Sequence, residues 1–198
     1  MTAKVKRRSS GILAYRRNSS DELEVLLVHP GGPFWAKKDE GAWSVPKGEF
    51  DEQLEQPVAA ALREFAEETG ITLPEREWLS LGSLKQPSGK VVDAWAGDLD
   101  LDVSDMRFST FTMEWPPRSG RIAEFPEVDR AEWFGLGTAR TKILPGQVGF
   151  IDALVNAVGG AAIVTDAKPS GKRSPDKLDA FKWLRDEDLD DPDDLPEP

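Results

Sequence analysis

An α/β domain built on a mixed sheet is the fold class that this sequence predicts. Three observations predict it. Short apolar runs punctuated by Gly and Pro read as strands; one central segment carries clear helix start and stop signals; and two further helical stretches precede Gly159-Gly160. The chain has 198 residues, 39% of them hydrophobic, which suffices for one domain with its own core.

Taken in order, Gly11–Tyr15 and Val25–His29 are apolar runs on either side of the polar stretch 16–24, as expected for two strands and a loop. Pro30-Gly31-Gly32-Pro33 breaks the second. After a loop through Phe34, Trp35 and the charged stretch 37–40, Trp43-Ser44-Val45 is expected as a short strand ended by Pro46. Pro57–Thr69 is the clearest helix: Pro57 suits the first turn, Gly70 suits the residue past the end, and Val58, Leu62 and Phe65 recur at helical spacing. Strands are expected at Leu79–Lys85, Val91–Ala96, Phe108–Trp115 and Ala131–Phe134, and helices at Thr138–Leu144 and Gln147–Val158 with Pro145-Gly146 between them. Residues 1–158 form the expected domain. Residues 159–198 read as an acidic, disordered C-terminal tail, in which Leu178, Phe181, Trp183 and Leu184 could form a short amphipathic helix.

Composition narrows the functional classes. The chain has no cysteine, which excludes disulfides, thiolate metal sites and a cysteine nucleophile. The basic segment 1–10 is not followed by a long apolar run, so neither a secretory signal nor a membrane span is expected, and the protein is read as cytoplasmic. A net charge of −11 disfavours general binding of a nucleic-acid backbone, leaving an RNA 5′ end as the nucleic-acid exception, and is compatible with cation binding or with solubility alone. The lone His29, at the end of an expected strand, is assigned a structural place, so no Ser-His-Asp set is argued. Oligomeric state is not readable.

The chemistry concentrates on the central helix. Glu64, Glu67 and Glu68 are three and four residues apart, on one helical face near the C-terminal end. Like charges at that spacing cost roughly a few tenths of a kcal/mol per pair, and the helix dipole opposes them there. For three glutamates taken alone, a solvated face is the favoured account over a divalent cation. The neighbours favour the cation: Arg63 can fork onto Glu55, and Pro46-Lys47-Gly48-Glu49 offers a glycine carbonyl to a metal and a cation to phosphate.

Gly48 through Glu55, seven residues, and then Arg63-Glu64-Phe65-Ala66-Glu67-Glu68-Thr69-Gly70-Ile71 resemble the Nudix box. Six residues, rather than the family's five, separate Gly48 from Glu55, so Leu54 holds the strict-spacing position; the role is assigned to Glu55 because the added residue falls in a loop. The resemblance is to bacterial Nudix nucleoside triphosphate pyrophosphohydrolases and to dinucleoside tetraphosphate hydrolases. It implies an α/β/α sandwich with a mixed sheet and a central catalytic loop-helix. It also implies Mg²⁺, with Mn²⁺ as an alternative, held by Glu64, Glu67, Glu68 and the Gly48 carbonyl, with Arg63 and Glu55 as an orienting pair. The implied reaction is hydrolysis of a phosphoanhydride bond in a nucleoside diphosphate-linked small molecule.

The resemblance further implies a base from outside the box: Glu127, six residues before Trp133 as in the family's dinucleoside tetraphosphate hydrolases, is the expected residue, with Glu124 as the reserve. Lys47, Trp43 and Lys85 are the expected substrate contacts: the two lysines for phosphate, the tryptophan, like Phe34 and Trp35, for a base. Trp43-Ser44-Val45-Pro46-Lys47-Gly48 is similar to the segment leading into the box of dinucleoside tetraphosphate hydrolases, which favours dinucleoside polyphosphates without excluding nucleoside triphosphates. The alternative is a Nudix-like nucleotide-sensing module without turnover; an intact set of box carboxylates favours the enzyme.

Overall fold

The computed structural model describes residues 8–158. The tail at 159–198, its amphipathic segment and the first seven residues lie outside the described residues. Eight strands and three α-helices follow in the order β1 (Arg8–Arg17), β2 (Leu23–Pro30), β3 (Lys47–Phe50), α1 (Pro57–Thr69), β4 (Leu79–Lys85), β5 (Val91–Asp98), β6 (Thr110–Glu114), β7 (Ile122–Pro126), β8 (Val128–Gly135), α2 (Leu136–Lys142) and α3 (Val148–Ala157).

The main sheet runs β4-β5-β1-β2-β8, with β3 attached to β1. It is mixed: β1 pairs with β5 in parallel, whereas its pairings with β2 and β3 are antiparallel. Along one edge β1 is hydrogen-bonded to β5 from Arg8 to Tyr15. Its other edge is divided, with Arg8–Gly11 facing β3 and Tyr15–Arg17 facing β2. The sheet therefore forks on that side, and Val28–Ser44 is bridged only locally.

Helices cover both faces, and the sequence explains why. Side chains alternate along a strand, and here both sets are apolar. Leu13, Val25 and Leu27 join Phe150, Ile151 and Leu154 of α3 in one core. Ile12, Ala14 and Leu26 join Ala61 and Phe65 of α1 in the other. Strands β1 and β2 read as continuous hydrophobic runs because both faces are buried. Among the described residues no helix is long and apolar enough to cross a membrane.

Two expectations are corrected. Trp43-Ser44-Val45 is not a strand but makes isolated bridges, to Ile143 and Val28, and the strand lies after Pro46, at β3. Apolarity misled here: Trp43 and Val45 are buried because they fill the core under α2 and α3, whereas β3 is polar because it borders the site. The strand Ile122–Pro126 was not expected. It pairs with β6 in a separate two-stranded sheet, Phe111 opposite Phe125 and Met113 opposite Ala123.

Candidate active site

The site grows from the contact between α1 and β3. Helix α1 begins after an extended Gln56, with Pro57 in its first turn, and stops where Gly70 turns left-handed at φ 73° and donates its N–H to the Ala66 carbonyl. It buries Ala60, Ala61, Phe65 and Thr69. That leaves Glu64 and Glu68 along the border with β3. Gly48 lies where the Glu64 carboxylate meets the strand, and a Cβ there would overlap that carboxylate. The absent side chain thus sets how closely helix and strand approach.

Arg63 ties the carboxylates together. Its Nε and Nη2 donate to the two oxygens of Glu55 at 3.2 and 3.0 Å, a bidentate fork. Its Nη1 donates to Glu64 at 2.6 Å and to Glu67 at 3.0 Å. Hydrogen bonding to Glu55, above all, raises the guanidinium pKa further. The extra residue before Glu55 is absorbed in a turn: Leu54 and Glu55 both donate their N–H groups to the Asp51 carbonyl, at 2.9 and 3.0 Å. Leu54 is left 85% exposed, and Glu55 is the residue delivered to Arg63.

Electrostatics mark the same spot. Burial pushes the Glu68 carboxyl up to about 7, against the opposing pull of Lys47, and Glu64 and Glu127 add to the rise. Glu68 accepts the Lys47 backbone N–H at 2.9 Å. Burial also raises Glu64, partly offset by Arg63. The Lys47 ammonium is pushed down by burial and pulled back by Glu68. Burial thus disfavours the charged forms of these carboxyls, a cost that a bound divalent cation would offset, and hard oxygen donors of this kind suit Mg²⁺ or Mn²⁺. Among the described residues no three carboxylates yet stand close enough to form a ready cage, since Arg63 holds Glu64 and Glu67 and the Lys47 amide holds Glu68.

A cavity of about 500 Å³ occupies the fork between β2 and β3 and extends beneath the β6–β7 hairpin. Lys47, Gly48, Glu49, Glu64, Glu68 and Glu127 line its charged end. Glu127 sits between β7 and β8, held on three sides. Its N–H donates to the Ser109 carbonyl and its carbonyl accepts from Gly31, both at 2.9 Å, while the Ser109 hydroxyl donates to its carboxylate at 2.7 Å.

Other expected residues fall elsewhere. Glu67 is bound to Arg63 and is not part of the cavity lining. Trp43 is corrected as a base contact: it is 1% exposed, its indole donates to Asp39 at 2.9 Å, and its ring packs edge-on against His29 and Phe134. Lys85 lies exposed at the end of β4 and is not among the residues lining this cavity. Glu124 is on the exposed hairpin, hydrogen-bonded to Thr110, also off the lining. His29 is fully buried between Asp129 and the Lys38 carbonyl, a structural place. Phe111, Thr112 and Met113 line the cavity and are not singled out by the sequence.

Comparison with known proteins gives the same frame. The NUDIX domain family model matches residues 5–154. The structure is similar to a C. elegans Ap4A hydrolase solved as a binary complex, with a TM-score of 0.56 and 22% identity, covering 77% of this chain and 99% of that one. It is similar to the NUDIX domain of Shewanella oneidensis NrtR complexed with ADP ribose (TM-score 0.53, 19% identity, 79% and 90% covered). It is also similar to a mutT/nudix family protein from Listeria innocua (TM-score 0.51, 16% identity, 79% and 96% covered). No curated relative matches the chain.

Proposed function

The chain belongs to the NUDIX family of pyrophosphate-bond hydrolases, and on that premise we propose that it is a Mg²⁺- or Mn²⁺-dependent enzyme cleaving a phosphoanhydride bond in a nucleoside diphosphate-linked substrate. Dinucleoside polyphosphates and nucleoside triphosphates are the favoured classes. The observation that carries the reading is the convergence of Glu64, Glu68, Glu127, Lys47 and Gly48 on one cavity.

In this reading Glu64, Glu67, Glu68 and the Gly48 carbonyl would hold the cation. Their chemistry fits: two of the carboxyls are held above their usual range by burial, and Gly48 leaves room beside Glu64. A bound divalent cation supplies acidification of water and neutralisation of phosphate charge. The protein's own groups do the rest. Arg63, fixed by Glu55, orients the box carboxylates. Glu127, anchored by Ser109 and facing the same cavity, accepts the proton of the attacking water. Lys47 meets the phosphate charge at the same end. Water attack on phosphorus forms one P–O bond and breaks the bridging one, releasing two phosphate-ended products.

Full-length protein with Mg²⁺ or Mn²⁺ is expected to release nucleotide products from at least one member of a panel of triphosphates, dinucleoside polyphosphates, nucleotide-sugars and 5′-triphosphate RNA. Glu68→Gln should abolish that release while the circular dichroism spectrum is retained. A wild-type protein inert on every member with both metals would refute the enzyme; nucleotide binding without turnover would instead favour the sensing module.

A further inference from the structure

Strand β8 carries one residue more than its pairing with β2 requires. The two strands run in step from Gly135 opposite Glu24 to Arg130 opposite His29, and then Val128 stands opposite Pro30. Asp129 is the extra residue, a β-bulge. Pro30 has no N–H with which to continue the ladder. The bulge changes the phase of the strand. Side chains alternate between faces, so a regular strand would send Asp129, and Glu127 before it, to the same side as Ala131 and Trp133, which pack on the α1 core. Instead Asp129 is turned to the opposite face, where it meets His29, which packs against Trp43 of the other core. Of the three residues at this step, Glu127 and Val128 line the cavity and Asp129 does not.

His29 holds the bulge in that position. Its ring is fully buried, and both nitrogens face oxygen acceptors: Nδ1 lies 2.7 Å from the Asp129 carboxylate and Nε2 lies 2.9 Å from the Lys38 carbonyl. A carbonyl only accepts, so Nε2 carries a proton. An ionised carboxylate also only accepts, so Nδ1 carries another, and 2.7 Å is the length of a charge-assisted bond. The Arg130 Nε faces the same Asp129 oxygen at 3.4 Å. The ring therefore ties the bulge to Lys38, whose own N–H donates to the Trp35 carbonyl in the cavity wall. The remaining charges around the ring lie beyond Trp43: Asp39, which accepts the Trp43 indole, and Lys142, which is paired with Asp39. None of these charged groups lines the cavity.

We infer that His29 is a positioning residue for the proposed base: donating from both ring nitrogens, it pins Asp129 in the bulge and so keeps Glu127 turned to the cavity it shares with Glu64 and Glu68. The link is short. Val128 alone separates the two acids, and the Glu127 carbonyl accepts the N–H of Gly31, next to the Pro30 step. The pin also decides which acid the cavity receives, since it draws Asp129 out of the wall and leaves Glu127 in it. Misplacing a reacting group by roughly 1 Å costs about a hundredfold in rate. This inference deepens the hydrolase reading above and rests on Glu127 as its base.

The chain has a single histidine, so its ring signals are unambiguous. In ¹⁵N-labelled full-length protein at about pH 7, both ring nitrogens should carry a bonded proton; a ring with one bare nitrogen overturns the inference. On the panel substrate turned over fastest with Mg²⁺, Asp129→Ala should lower kcat about ten- to a hundredfold with KM little changed, and the Gly31 and Glu127 amides should exchange faster with solvent. His29→Gln, whose amide reaches Lys38 but not Asp129, should lose as much, and His29→Asn, whose amide reaches Asp129, should lose less. If the His29 variants lose their fold, Asp129→Ala, at a partly exposed side chain, carries the test. In a Glu127→Gln background Asp129→Ala should lower kcat no further, because its effect passes through the base. An equal further loss there, or a loss of thermal stability or a rise in KM while kcat holds, overturns the inference and leaves the base in place. A Glu127→Gln protein as active as wild type overturns the base assignment itself and the inference with it, as does a wild type inert on the whole panel.

Discussion

Arg63 illustrates what a single residue does here. One guanidinium meets three carboxylates, two of them on its own helix. The bidentate fork to Glu55 fixes its plane, and only a planar donor can serve both sides at once. Removing an orienting partner of this kind costs on the order of 10- to 100-fold in activity or metal affinity. Glu55→Gln is therefore expected to lower kcat by about that factor, with the fold retained by circular dichroism. Leu54→Ala, at an 85% exposed position, should change neither kcat nor thermal stability. The reverse result would return the orienting role to position 54.

Glu68 carries a pH signature. Its folded pKa, about 7, lies above the ordinary glutamate value, so the native state binds its proton more tightly than the unfolded chain does. Stability from this group is complete below about pH 4.3 and is lost as pH rises through 7. Without metal, the urea midpoint should fall between pH 5 and 8, by up to about 3 kcal/mol in stability. Glu68→Gln should flatten that slope, and Mg²⁺ should restore wild-type stability at pH 8. A wild-type protein equally stable at both pH values without metal would count against the buried charge.

At the scale of elements, the sheet fork and the α1–β3 contact decide the site. Gly48→Ala tests that contact directly, because its Cβ would displace the Glu64 carboxylate. Activity is expected to fall about a hundredfold, with a stability loss of about 1–3 kcal/mol from overpacking; unaltered kcat/KM would mean that the approach is unimportant. Much of this was legible in the sequence. Pro57 and Gly70 bracket α1 at the residues observed, and Leu79–Lys85 is β4 as expected. Local signals sufficed because helix caps and turn residues act within a few positions. The β6–β7 hairpin was half missed, since Ile122–Pro126 mixes exposed and half-buried residues and lies outside the main sheet. Trp43 was misplaced because an aromatic next to a motif reads alike whether it packs inward or stacks on a ligand. Only long-range packing against Phe134 and Ile143 decides that.

For the whole molecule, the described residues 8–158 by themselves supply two hydrophobic cores and a lined cavity. We propose that this part is the catalytic unit and that the acidic stretch after Gly160 is separable from it. Truncation after Gly160 is expected to leave kcat and KM nearly unchanged in the steady-state assay. A large loss of kcat would place the tail within the catalytic unit.

The division of β1's edge between β2 and β3 has a mechanical meaning. Most of the acidic wall of the cavity is borne by α1 and by β3, which is paired to β1, itself locked along its opposite edge to β5. The aromatic wall is a two-stranded ribbon outside the main sheet, and ribbons of that size hold together weakly by themselves. When guests of different bulk enter, the strain of accommodating them falls on the compliant wall. Glu64 and Glu68, both on α1, keep their spacing whatever guest sits beside them.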